Sequence, residues 1–250
     1  MAVGVGLFLL LIIGGIYYRG KKVKAVQNYI QKRVLARFLP PTMIDEIMTG
    51  SSRLDTSPSY EEITVLFCDV VGFTKMFNDE QSEIAADVLN RFLIEITDVI
   101  YSHNGTIDKF IGDAVMVLFG APVKIEKEEQ ASRAIKCARA MIKKVDELNL
   151  EFSEKYKISL RVRVGINQGE ALVGTIGGAQ RSDYTAIGHT VNLASRVEGQ
   201  AKPQQILFTK AVAHALNEPY SSLGDFSLKG IDEMQELFCL DEGQAALEAS

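Results

Sequence analysis

The sequence predicts an α+β domain: a mostly antiparallel sheet with long helices on one face, in the βαββαβ order of a ferredoxin-like core with extra C-terminal strands, preceded by one transmembrane helix and a signalling helix. Three observations carry this. A short alternating run, "ITVLFCDV", precedes a long segment of helical period, and a tight apolar hairpin and a second long helical segment follow it. That order of elements is the split β-α-β unit. The first eighteen residues and the basic, striped stretch behind them have a different composition from everything after residue 60.

The chain has 250 residues, 47% of them hydrophobic and 24% charged, enough for one sizeable core and far from the disordered regime. Its formal net charge of -5 excludes a general nucleic-acid binder, because no basic excess exists to neutralise a phosphate backbone. Cys68, Cys137 and Cys239 are scattered and lack C-x-x-C spacing, which fits core residues in a reducing compartment.

Taken in order, "AVGVGLFLLLIIGGIYY" carries no charge and is followed at once by Arg19, Lys21, Lys22 and Lys24. At about 1.5 Å per helical residue it covers roughly 25 Å, close to the lower limit for a membrane span. A cleaved signal peptide is the alternative, but it would need a basic region in front and a small-residue site behind. Residues 1–19 are therefore read as a single-pass anchor in the cell membrane, whose basic flank puts the remainder in the cytoplasm. Residues 20–59 form a juxtamembrane signalling helix and linker. In it Val23, Val26, Ile30, Val34 and Phe38 make a narrow apolar stripe that suits a parallel partner helix, or equally a helix lying on the membrane or on its own domain. Pro40 and Pro41 stop that helix, and "SSRLDTSPS" is a solvated linker.

The globular domain is expected over residues 60–242, with residues 243–250 as a tail. It comprises a strand through Val65 and Phe67, a helix from about Gln81 to Ser102, and a hairpin turning at "IGD". A helix from about Lys127 to Tyr156 and the strand "SLRVRVGI" come next. After Gly169 follow a separate short strand "ALVGTIG", the segment "SDYTAIG", the helix "TVNLASRVEG", the strand "QILFT", a helix to about Leu216, and a terminal hairpin ending "QELFCL".

Two aspartates end strands where the split unit makes neighbours of them: Asp69 after the first strand, and Asp113 in the hairpin turn. Converging carboxylates either cap turns or hold hard divalent cations. The turn "VVGFT", with Gly72, Phe73 and Thr74, either presents backbone N–H groups to a phosphate or simply joins strand to helix. Asn192 and Arg196, four apart, share one helix face opposite Val191, Leu193 and Ala194. That face is either a solvated surface or a pair of donors for a sugar and a phosphate.

The ordered motifs "VLFCDVVGFT", "GTIDKFIGDAVMVLFG", "RVGINQGEALVGTIG", "DYTAIGHTVNLASR" and "LKGIDEMQEL" resemble the catalytic domain of the class III adenylyl and guanylyl cyclases, over about residues 60 to 242. The resemblance implies that Asp69 and Asp113, helped by the Val70 carbonyl, hold two Mg²⁺ or Mn²⁺ ions per site. ATP is then the expected substrate, converted to 3′,5′-cyclic AMP and pyrophosphate by attack of its 3′-hydroxyl on the α-phosphorus. It further assigns Asn192 to the ribose, Arg196 to the transition state, and Arg163 and Lys229 to the terminal phosphates. Lys109 and Thr185 fall at the positions that read the base. An ammonium can donate to adenine N1 and a hydroxyl can accept from the 6-amino group, whereas guanylyl cyclases carry an acidic residue at the position of Lys109. Many adenylyl cyclases have Asp where this chain has Thr185, so the chain resembles a variant subgroup. In the family the site lies between two catalytic domains, and one complete residue set implies a homodimer with two sites. The expected protein is thus a membrane-anchored adenylate cyclase in signal transduction, coupled to an upstream sensor. The competing expectations are a guanylate cyclase, which Lys109 opposes, and a catalytically silent nucleotide-binding domain, which the retained Asp69, Asp113 and Arg196 oppose.

Overall fold

The computed structural model describes residues 57–77, 82–178 and 181–241. The expected transmembrane segment, the signalling helix with its linker up to residue 56, and the tail 243–250 lie outside the described residues. Among the described residues no helix is long and apolar enough to cross a membrane.

The elements run β1 (Ser59–Val70), α1 (Phe73–Met76), α2 (Ser82–Ser102), β2 (Thr106–Ile111), β3 (Ala114–Phe119), α3 (Lys127–Tyr156), β4 (Val162–Gly178), β5 (Arg181–Ile187), α4 (His189–Glu198), β6 (Ile206–Thr209), α5 (Lys210–Ala215), β7 (Tyr220–Phe226) and β8 (Gln235–Leu240). The sheet order is β2-β3-β1-β4-β6-β8-β7, with β5 paired to β4. Every pairing is antiparallel except β4 with β6. The first four strands reproduce the expected split unit, and β6, β7 and β8 extend it.

Strand alternation sorts the core into two layers. Leu66, Cys68 and Val70 of β1, with Val115, Val117 and Phe119 of β3, pack on one side against Val88, Phe92, Ile96 and Ile100 of α2 and Ala134, Ala138, Met141 and Val145 of α3. The α2 residues recur at helical spacing, which is why this polar-faced segment folds as a helix. In α3 Glu128 and Glu129 stand in the first turn and Lys155 in the last, each favourable to the helix dipole. Ile63, Val65 and Phe67, with Met116 and Leu118, face the other way and pack against Ala186 of β5 and Ala194 of α4.

The expectation of helices on one face is corrected here: α4 lies on the second face, apart from α2, α3 and α5. It does so because β4 leaves two gaps there, at Gly165 and Gly169. Along β4, Val162, Val164 and Ile166 fill the first layer, so Arg163, Gly165, Asn167 and Gly169 share the second. A Cβ added at Gly165 would fall 2.0 Å from the Glu198 backbone nitrogen, so α4 rests directly on the strand. Buried Asn167 donates to the Thr190 carbonyl at 2.9 Å and accepts from the Thr209 hydroxyl at 2.7 Å. Thr190, in turn, donates to the Glu170 carbonyl at 2.6 Å. The second difference is that β4 is one continuous strand of 17 residues rather than two. Gly169 keeps its place in the ladder opposite Ile63, and Gly174 and Gly177 farther on have φ 155 and 144.

Gly165→Ala is expected to cost about 1–3 kcal/mol through overpacking against α4. Gly178→Ala, where an added Cβ meets nothing within 4 Å, should stay within about 0.5 kcal/mol of wild type. Urea unfolding midpoints compare the two; equal midpoints would contradict direct packing of α4 on the strand.

Candidate active site

Asp69 ends β1 on the second face, opposite Arg163 of β4. Arg163 donates to Asp69 Oδ2 from Nη2 at 2.8 Å and from Nε at 3.2 Å. The same Nε lies 2.5 Å from Glu198 Oε1 at the end of α4. Its single N–H is directed at Asp69, so Glu198 has a charge contact but no hydrogen-bond partner for that buried oxygen. Burial pushes the Glu198 carboxyl up to about 7, Arg163 opposes the shift, and the charges of Asp69 and Asp113 add to it. Asp113, in the turn between β2 and β3, is likewise raised, first by burial and then by the Asp69 charge. The charge of Asp69 therefore reaches Asp113, the carboxylate expected to converge with it. Asp69 is only partly buried, and the cation beside it here is Arg163.

These donors fit a hard divalent ion: two carboxylates at adjoining strand ends, with backbone oxygen nearby. Val162, opposite Val70, commits its N–H to the Gln204 side chain and its carbonyl to the Gln204 amide. Val70 consequently makes no ladder bond to that strand, and its own carbonyl turns to the β3 side. There the β1–β3 ladder has already ended at Cys68 and Val115, toward the Asp113 turn. Among the described residues no group of three or more His, Cys, Asp or Glu side chains is arranged to hold a metal, so such a site would rest on this pair and main-chain oxygens.

Lys109 and Thr185 are brought together by a residue that the sequence reading missed. The β2–β3 register slips between Ile107 and Lys109, leaving Asp108 as the extra residue of a bulge. Ile107 stands opposite Val117 and packs in the first layer, whereas Lys109 stands opposite Met116 of the second. Without the bulge Lys109 would share the parity of Ile107 and face the helices. The Asp108 side chain is fully buried, with Oδ1 3.3 Å from Lys109 Nζ. Its Oδ2 accepts from the Thr185 hydroxyl at 2.7 Å and from the Ala186 amide at 3.0 Å. No sequence pattern announces such a bulge, although an acidic residue beside a lysine in an apolar hairpin was a signal.

Asn192 and Arg196 both lie exposed on α4, on the face away from buried Leu193, Ala194 and Val197. Arg196 precedes Glu198 by two residues, about 200° around the helix, so it points away from the Asp69 cluster of its own chain. Lys229 is exposed in the β7–β8 connection, next to Leu228, which packs with Leu193 and Val197 of α4. Gly72, at φ 73, caps the four-residue α1 that holds Phe73 and Thr74; Gly72 and Thr74 are exposed, and Phe73 packs against the core. The described chain thus gathers Asp69, Asp113 and Arg163 in one place and Lys109 with Thr185 in another, and turns Asn192 and Arg196 outward.

The model of the adenylate and guanylate cyclase catalytic domain matches residues 56–241. The chain belongs to that family. It is 31% identical over 224 residues to an adenylate cyclase of Anabaena cylindrica, covering 89% of this chain and 42% of that protein. The crystal structure of the adenylyl cyclase CyaB from P. aeruginosa superposes with a TM-score of 0.72 at 32% identity, covering 75% of this chain and 97% of that one. The guanylyl cyclase Cya2 superposes with a TM-score of 0.67 at 31% identity, covering 74% and 96%. The chain spans less than half the length of the curated relatives it matches. Cyclases named for either nucleotide lie at nearly equal distance, so base choice rests on the residues themselves.

Glu198 provides a test of the cluster's electrostatics. Its folded pKa stands above the ordinary 4.5, so the protonated form is favoured by folding. That contribution is complete below about pH 4.5 and is lost as pH rises through about 7. Glu198→Gln cannot titrate, so its Tm relative to wild type should rise between pH 5 and pH 8. A flat or falling difference would contradict a buried, charge-crowded carboxyl.

Proposed function

We propose that the chain is a membrane-anchored adenylate cyclase acting as a homodimer in signal transduction, converting ATP to 3′,5′-cyclic AMP and pyrophosphate. The observation that carries the choice of ATP is the juxtaposition of Lys109 and Thr185 around one buried carboxylate on the second face of the sheet. The Lys109 ammonium donates to adenine N1, and the Thr185 oxygen accepts from the 6-amino group. Guanine presents the opposite pattern, an N1–H donor and an O6 acceptor. Asp69, Asp113 and the Val70 carbonyl would hold two Mg²⁺ or Mn²⁺ ions, which when bound supply Lewis-acid activation of the 3′-oxygen and charge neutralisation of the leaving pyrophosphate.

The chain's own residues do the rest. Asn192 orients the ribose so that its 3′-oxygen lines up with the α-phosphorus; the new P–O bond forms as the bond to pyrophosphate breaks. Arg196 donates to the charge developing on the phosphoryl oxygens. The Gly72, Phe73 and Thr74 turn, with Arg163 and Lys229, serves the β- and γ-phosphates. Arg163 is engaged by Asp69 and Glu198 in this conformation, so that role requires it to exchange partners.

Two features support the dimer. Arg196 and Asn192 face away from the aspartates of their own chain, so they act on a site completed by a second copy. Exposed Phe110 and Ile111 on the sheet-edge strand β2, together with exposed Ile187 at the end of β5, supply apolar surface beside Lys109 for such a copy to cover. Anchoring rests on the charge-free stretch 2–18 and its basic flank, and the stripe from Val23 to Phe38 would pair the two chains and pass on the signal of an upstream sensor.

The purified full chain, given Mg²⁺ or Mn²⁺ and either ATP or GTP, should yield cyclic AMP from ATP with the higher kcat/KM. Lys109→Glu should lower kcat/KM for ATP about 10- to 100-fold, the cost of leaving adenine N1 unpaired against a carboxylate. Chromatographic identification of the cyclic product decides the reading. Predominant cyclic GMP would establish a guanylate cyclase, and nucleotide binding without product would establish a silent domain.

A further inference from the structure

Asp108 sits where neither the core nor the proposed chemistry explains a charge. Its side chain is fully buried, and it is the extra residue of a bulge, not an end or a turn where carboxylates usually cap backbone groups. One oxygen, Oδ2, is doubly occupied by the Thr185 hydroxyl at 2.7 Å and the Ala186 amide at 3.0 Å. The other, Oδ1, has no hydrogen-bond partner and lies 3.3 Å from the Lys109 ammonium. A buried carboxylate left this way is costly unless its arrangement serves something.

We propose that Asp108 is a specificity-positioning residue that fixes which way the base-reading pair donates and accepts; the proposal rests on the adenylate cyclase reading above. A threonine hydroxyl has one proton and two lone pairs, so by itself it reads an amino group and a carbonyl equally well. Here the proton has two acceptors within the chain, Asp108 Oδ2 at 2.7 Å and the Ala186 carbonyl at 3.4 Å. The shorter, charge-assisted bond takes it. The Thr185 oxygen then has only lone pairs to offer a ligand, which suits the 6-amino group of adenine and rejects O6 of guanine. The other oxygen acts on Lys109. The bulge brings Lys109 to the Asp108 side of the sheet, and Oδ1 holds the ammonium within reach of the same base. One carboxylate therefore sets an acceptor at the 6-position and a donor at N1, and turns a permissive hydroxyl into a discriminating one.

The test measures kcat/KM of the full chain for ATP, GTP and purine riboside triphosphate, which lacks the 6-amino group but keeps the N1 acceptor. In wild type the ATP-to-GTP ratio and the ATP-to-purine ratio should both exceed tenfold. Asp108→Ala frees the Thr185 proton and releases Lys109, so the ATP-to-GTP ratio should fall at least fivefold and further than in Asp108→Asn, whereas the ATP-to-purine ratio should change little because a freed hydroxyl still accepts from the 6-amino group. Asp108→Asn separates the two effects: its amide oxygen can still accept from Thr185 and the Ala186 amide, while its NH₂ faces the lysine. It should keep the ATP-to-purine ratio within about twofold but lose ATP-to-GTP discrimination at least fivefold. Circular dichroism and thermal melts check folding, and if Asp108→Ala does not fold, the isosteric Asn variant decides the matter alone. Loss of activity by a common factor on all three nucleotides, with both ratios unchanged, would reduce Asp108 to a structural residue and overturn the proposal. A wild-type chain that prefers GTP, or makes no cyclic product, would overturn the adenylate cyclase reading instead, so the two failures are distinguishable.

Discussion

With no side chain at Gly165, the last turn of α4 lies against the backbone of β4, and the residues expected to do chemistry take their positions from that contact. Glu198 reaches Arg163 only because the helix can come so close, and Arg163 stands over Asp69 because the two are opposite one another in the β1–β4 ladder. The Asn167 and Thr190 hydrogen bonds fix the helix along the strand, and rotation by the helical repeat then sends Asn192 and Arg196 outward. A sheet packed conventionally on this face, with branched residues along β4, would hold α4 at ordinary layer spacing and separate these groups.

Charge crowding follows from the same packing. Asp69 and Glu198 both contact one guanidinium, and Asp113 feels its charge. Two of them, Glu198 and Asp113, have their pKa values raised, first by burial and further by the neighbouring carboxylates. Burial works against the charge on Arg163, but its hydrogen bond to Asp69 and the charge of Glu198 outweigh it and hold its proton more firmly. An excess of carboxylate over local cation is a poor arrangement for stability by itself. It suits the divalent cations and polyanionic nucleotide of the proposed reaction.

Much of this was legible in the sequence because periodicity is a property of single segments. The α3 boundaries Lys127 and Tyr156, the β2–β3 hairpin and the β1–β4 neighbourhood follow from local pattern and from the short list of topologies it permits. The continuity of β4 was hidden because Gly169 is ordinarily a breaker; here it stays in the ladder because Thr190 needs the space above it. The placement of α4 was hidden for a related reason: Gly165 and Gly169 leave room for a helix, but the sequence does not name which one. Of the candidate site residues, the strand-terminal aspartates and the Asn192/Arg196 spacing could be read directly. Asp108 and Glu198 could not, since the first depends on a register slip and the second on a helix end meeting a strand through a glycine.

The central claim is that each site is shared, the aspartates coming from one chain and Arg196 from the other. Asp69→Asn chains and Arg196→Ala chains should each be nearly inactive as homodimers, and their mixture measures the claim directly. In a mixed dimer one interface collects both lesions, while the other combines intact aspartates with an intact Arg196. Random pairing makes about half the dimers mixed, so cyclic AMP formation should recover to roughly a quarter of the wild-type rate per chain if the two sites act independently. Mixtures that demonstrably contain mixed dimers and yet remain as inactive as the separate variants would contradict the account, because each chain would then have to build its site alone.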